Sequence, residues 1–156
     1  MCYLYDMIFY HKNVVVLILA LCVFSPAKAQ ISITENQSLN FGSIIADTSG
    51  DTVTVNPNGT ISAQQGSVLD GGHRQAEFLV EGLPNETVNY SFSVGDTLSS
   101  ASETVDLQNF LASIPSPFSL DPSGARVLSV GADVVIPPFL AGGSFSGNYS
   151  ITIDNP

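Results

Sequence analysis

From residue 30 onward, apolar side chains recur at every second position, the period of a strand with one face buried. Thr52-Val53-Thr54-Val55 alternates and is closed by the turn residues Pro57-Asn58-Gly59. Ala76, Phe78 and Val80 alternate with Glu77, Leu79 and Glu81, and Gly82-Leu83-Pro84-Asn85 turns the chain. Val88, Tyr90, Phe92 and Val94 then alternate with Asn89, Ser91 and Ser93, so the two runs predict a hairpin with one buried face. Further strands are predicted at Val127-Leu128-Ser129-Val130, at Val134-Val135-Ile136 and around Tyr149, Ile151 and Ile153. Leu107 to Ile114 fits either a strand or a helical turn by its period and is assigned to a strand. Turn residues recur roughly every 8–12 positions, with no helical repeat, internal repeat or domain boundary. The expected fold is all-β, a single antiparallel β-sandwich over residues 30–156.

Residues 1–29 follow a different pattern. His11 and Lys12 precede the apolar run Val14 to Phe24, and Ala27 and Ala29 place small residues where a signal peptidase cuts. The apolar run is short of the roughly 20 residues that span a bilayer. It therefore reads as a signal peptide, with Met1 or Met7 as the start, and not as a retained anchor. A lipoprotein would use Cys22, but the residue before it is the bulky Leu21. Both cysteines, Cys2 and Cys22, lie in this segment, so the exported chain would have no disulfide.

Charge narrows the partners. Residues 30–156 contain 13 acidic side chains and two basic ones, Arg74 and Arg126, a balance of 2 − 13 = −11. A chain with so little positive charge cannot neutralise phosphates, and anionic membranes repel it. Chemistry is equally sparse. His73, in the polar turn Gly71-Gly72-His73-Arg74, is the one histidine after the signal segment and reads as a solvated loop residue. No Gly-x-Ser-x-Gly elbow occurs, and zinc would want several Cys or His ligands. Asp47-Thr48-Ser49-Gly50-Asp51 resembles the start of a calcium loop but lacks its downstream glutamate, so it reads as a β-turn. Glu77 and Glu81 share one strand face and read as solvated surface, not as a glycosidase pair. The sequons at Asn36, Asn58, Asn85, Asn89 and Asn148 follow from an Asn-, Ser- and Thr-rich composition and are assigned no role. No enzyme activity, cofactor or metal is expected.

The phrases LNFGSI (39–44), TVTVNPNGT (52–60), FLVEGLPNETVNYSFS (78–93) and LSVGADVVI…GGSFSGNYSITI (128–153) resemble the bacterial secreted domain of unknown function 4402. That resemblance covers nearly all of residues 30–156 and implies a β-rich exported bacterial domain. A second resemblance, to chaperone–usher fimbrial subunits, rests on Gly143 as fourteenth residue from the end, with Phe145, Tyr149, Ile151 and Ile153 following by twos. The penultimate Asn155 replaces the aromatic residue of that pattern, and the disulfide common in pilins is missing.

This second resemblance implies an immunoglobulin-like, pilin-like sandwich lacking one strand. Gly143, Phe145, Tyr149, Ile151 and Ile153 would border the groove that a donor strand fills. Ile31 and Ile33 in Gln30-Ile31-Ser32-Ile33-Thr34 would be the donor anchors, or else belong to an ordinary first strand. The expected function is an exported bacterial structural or adhesive surface protein, a fimbrial-type subunit found in the periplasm, at the cell surface or outside the cell. Its partners would be itself or related subunits, a periplasmic chaperone and an outer-membrane usher. The rival is a monomeric secreted sandwich that binds a glycan or other ligand through its loops. Intact-mass measurement of the exported protein is expected to place the new N-terminus at Gln30. A lipid-modified Cys22 would overturn that.

Overall fold

Every alternating run becomes a strand in the computed structural model, which describes residues 30–156. The expected signal peptide, with Met7, Cys22 and the cleavage point after Ala29, lies outside the described residues. Twelve strands and no helix are formed among the described residues. They are β1 (Ser32–Gln37), β2 (Ile44–Ile45), β3 (Asp51–Val55), β4 (Ile61–Ala63), β5 (Val68–Leu69) and β6 (Ala76–Glu81). There follow β7 (Thr87–Phe92), β8 (Asp96–Ser99), β9 (Thr104–Ala112), β10 (Phe118–Ser119), β11 (Ala125–Ile136) and β12 (Ile151–Asp154).

All pairings are antiparallel. A seven-stranded sheet contains β1, β3, β4, β6, β8, β9 and β11; a second sheet has the order β10-β7-β12, and β2 and β5 form a separate ribbon. The large sheet curls over two apolar clusters. Ala76, Phe78, Val80, Leu128 and Val130 meet Val88, Phe118 and Leu120 of the opposite layer. Val53, Val55, Val105, Leu107, Val134 and Ile136 pack under Phe41 and the inner residues of the ribbon, Ile44 and Leu69. Leu39, Phe110 and Tyr149 touch both clusters and join them into one core. Each large apolar side chain removed from water contributes about 1.5–3 kcal/mol, so stability resides in this packing and in the backbone ladders.

Strand β11 is a single 12-residue element where the sequence predicts two. Gly131 and Ala132 continue it, and the carbonyl oxygen of Val55 passes 2.0 Å from where a Cβ on Gly131 would sit. Only glycine admits that approach. The predicted hairpin of residues 76–94 is corrected more sharply. Strand β6 pairs with β1 and β11, whereas β7 pairs with β10 and β12, so the two lie in opposite sheets. The turn between them is drawn aside by Gly82 N–H donating to Gly124 O (2.8 Å) and Asn85 N–H to Asp121 O (3.1 Å). Strand β7 also ends at Phe92, and Val94 is 95% exposed.

Leu107 to Ile114 falls largely within strand β9, interrupted by a bulge. Asn109 adopts φ 51°, and between the pairs Gly131↔Leu111 and Asp133↔Gln108 two β9 residues oppose Ala132 alone. The extra residue moves the inward face from Val105 and Leu107 to Phe110 and Ala112. The Asn109 side chain donates to buried Asp133 (2.9 Å), which also accepts from Thr54 Oγ1 (2.6 Å).

Asp51 is the second buried carboxylate, 5% exposed. It accepts the backbone N–H groups of Thr52 (2.7 Å), Gln64 (3.1 Å), Gln65 (2.7 Å) and Ser67 (3.1 Å) and thereby holds the loop before β5. Burial raises its pKa, but hydrogen bonds from Ser67, Gln65 and Thr52 outweigh that, leaving it below the ordinary 3.8. A depressed folded-state pKa gives stability that is present above the unfolded value and lost as pH falls through the folded one. Asp51→Asn is expected to cost about 1–3 kcal/mol at neutral pH. Its deficit against the wild type should shrink in denaturant titrations as pH drops below 3.8. A deficit that stays constant to pH 2 would contradict this account.

Candidate functional site

A sandwich made of open sheets has edges, and an unpaired edge presents a row of backbone donors and acceptors. Strand β1 is hydrogen-bonded to β6 through pairs from Ser32↔Glu81 to Gln37↔Glu77, and β12 to β7 through pairs from Ile151↔Phe92 to Asp154↔Asn89. Among the described residues neither strand has a second partner. The two free edges flank a cleft of about 200 Å³. Leu39, Phe78 and Ile151 supply its apolar surface, and Glu35, Ser38 and Asn148 its polar one.

Tyr149 stands between these groups. Its ring meets Phe78 edge-on at a 6.4 Å centroid separation and lies 5.0 Å from Phe110, which stacks on Phe92 at 5.1 Å. Its hydroxyl is buried without a hydrogen-bond partner. Burial, with the charge of Glu35 adding to it, pushes the phenol pKa up to about 12, so the group keeps its proton and is a donor lacking an acceptor. The neighbouring Tyr90 hydroxyl, by contrast, donates to Ile114 O at 2.6 Å.

The residues singled out from sequence divide. Tyr149 and Ile151 line the cleft, and Ile153 packs on the same apolar cluster beside it. Gly143 and Phe145 lie elsewhere: Phe145 packs into the other cluster, and Ser146 pairs with Ser99 at the end of β8 through bonds of 2.8 and 3.0 Å. Gly147 then passes beneath Thr97 O, 2.1 Å from where a Cβ would lie. Residues 143–153 therefore serve two sheets in succession and not one continuous strand. Ile31 and Ile33 also pack on the Phe78 cluster, with Ile33 opposite Val80 in β6. Sequence reasoning missed Glu35, Ser38, Leu39 and Phe78, which reach the cleft only through the pairing of β1 with β6.

Other candidates change in character. His73 is half-buried, not solvated, with Nδ1 lacking a partner. Asp47 accepts from the Ser49 amide (2.8 Å) and hydroxyl, closing a turn, and Asp51 is occupied by amides. No group of three His, Cys, Asp or Glu side chains is gathered among the described residues. Glu77 and Glu81 lie outside the cleft. Among these residues, no helix is long and apolar enough to cross a membrane. The arrangement is suited to holding an extended chain: backbone edges to pair with, apolar surface to bury side chains and a proton donor in reserve.

A search of curated proteins finds no match to this chain. A family model described as a domain of unknown function, DUF4402, matches residues 31–154. The matched span runs from Ile31, just ahead of β1, to Asp154 at the end of β12, and so includes both sheets and both walls of the cleft. By that match the chain belongs to the DUF4402 family.

Proposed function

We propose that this chain is an exported bacterial structural or adhesive surface protein that joins its neighbours by strand pairing, in the manner of a fimbrial-type subunit. The observation that carries the reading is the seam of two unpaired strand edges, β1 and β12, on either side of one cleft with both apolar and polar walls. Natural proteins blunt or cover such edges unless they are used. Strand addition uses them, with main-chain bonds giving affinity and side-chain pockets giving selectivity. A periplasmic chaperone and an outer-membrane usher are the partners such a route requires. With β1 held by β6, the entering strand is a further one, and Ile31 and Ile33 support the wall. Donating β1 to a neighbour would require it to leave β6.

In the isolated chain, β1 and β12 amides are expected to exchange with deuterium well before those of β11, since edge ladders open locally. Strand capture or assembly should then protect them, with sedimentation reading the change in mass. A chain that stays monomeric, and whose edge amides gain no protection with any strand peptide, sinks the reading.

One observation favours a second reading, the monomeric module that binds a glycan or other ligand through loops. Phe139 is 84% exposed and sits at φ 59°, its N–H donating to Thr48 O at 3.2 Å. Ile45 and Val68, a cross-strand pair of the ribbon, are also exposed, at 63% and 57%. A bulky residue in the left-handed region is strained, and strain of this kind collects at functional sites. Phe139→Asn should raise stability by about 1 kcal/mol, and under this reading it should abolish retention on immobilised glycans. Retention that survives the substitution would remove Phe139 from the site.

A further inference from the structure

The cleft between β1 and β12 has a charge and a hydrogen-bonding demand that discriminate among strands. Glu35 is exposed on β1 and lines the cleft beside Tyr149. Arg74 reaches the rim of the cleft, where its Nε donates to the backbone oxygen of Ser38 at 3.3 Å. Arg126 likewise donates to Ser119 O at 3.0 Å. Residues 30–156 offer no other arginine and no lysine against 13 carboxylates. A second copy approaching the cleft therefore brings like charge. Its own leading strand, Ser32-Ile33-Thr34-Glu35, would set one glutamate near another.

Tyr149 adds a second requirement. Its hydroxyl is a buried donor without an acceptor, a state that is unfavourable and that an entering backbone carbonyl relieves. The hydroxyl is covered by the cleft walls, so the carbonyl reaches it only when an occupant parts the seam.

Resting on the strand-acceptor reading above, we infer that the cleft selects an extended segment of a different, basic protein over a second copy of this chain. The segment places a lysine or arginine against Glu35 and a carbonyl oxygen against the Tyr149 hydroxyl. Glu35 sets the charge preference, and Tyr149 rewards occupation of the cleft by any strand.

The test uses residues 30–156 and two fluorescent peptides: the chain's own segment 30–38, and that segment carrying Glu35→Lys. The lysine peptide is expected to bind about fivefold tighter at low salt, the preference fading at 0.5 M NaCl as screening removes it. Glu35→Gln in the protein should bring the two affinities together. Tyr149→Phe should weaken both peptides about fivefold, the worth of one hydrogen bond, while the thermal midpoint of the free protein holds or rises. Equal binding of the two peptides, or tighter binding of the native segment, overturns the basic-partner inference and leaves strand acceptance standing. Binding of neither peptide overturns strand acceptance itself and this inference with it. A fall in thermal midpoint on Tyr149→Phe with peptide affinity unchanged makes the hydroxyl structural and overturns its role in selection.

Discussion

The rest of the structure depends on the backbone ladder of β11. Its first half pairs with β6, its second half with β3, and β9 lies along it from Val130 to Val135. Among the described residues no other strand pairs with three neighbours. Its inward residues Leu128 and Val130 enter one apolar cluster, and Val134 and Ile136 the other. A break at Gly131 would separate the two halves of the core. With no cysteine after residue 22, nothing covalent would hold them together.

Closure around that spine is incomplete in one place. The large sheet curls until β1 approaches β12, but Tyr149, Phe78 and Leu39 line a cleft there in place of a ladder. Side-chain packing can close the core to water there without pairing the backbone edges. The result is a stable interior beneath an open seam, which is the physical basis for reading the seam as a place where strands join.

The polar interior is arranged differently from the acidic surface. Asp51 and Asp133 are buried and fully engaged, one by loop amides and the other by Thr54 and Asn109. The remaining carboxylates face a chain with two arginines, both turned to carbonyl oxygens. Such a surface repels copies of itself. Association between like chains then has to overcome that repulsion.

Much of the strand content was legible because alternation is a local property. Val53, Val55, Phe78, Val80 and Val88 are buried where period two places them. The bulge at Asn109 shows where that logic fails: one extra residue reverses the inward face, and no local pattern announces it. The short strands β2, β5 and β10 hold two residues each, too few to carry a period.

The sequence by itself determined where most of the longer strands lie, which side of each is apolar where no bulge intervenes, and that the region beyond residue 29 has almost no positive charge. Only the tertiary structure decided which strands are neighbours. It separated β6 from β7, fused two predicted strands into β11, sent Phe145 to one cluster and set Tyr149 between the two, and brought Glu35 and Phe78 to the cleft. The reason is that facing is set by the pleat of a single strand, whereas pairing is settled by competition among all strands for the same backbone groups. That competition is won through contacts distant in sequence, such as Gly82 with Gly124 and Ser99 with Ser146.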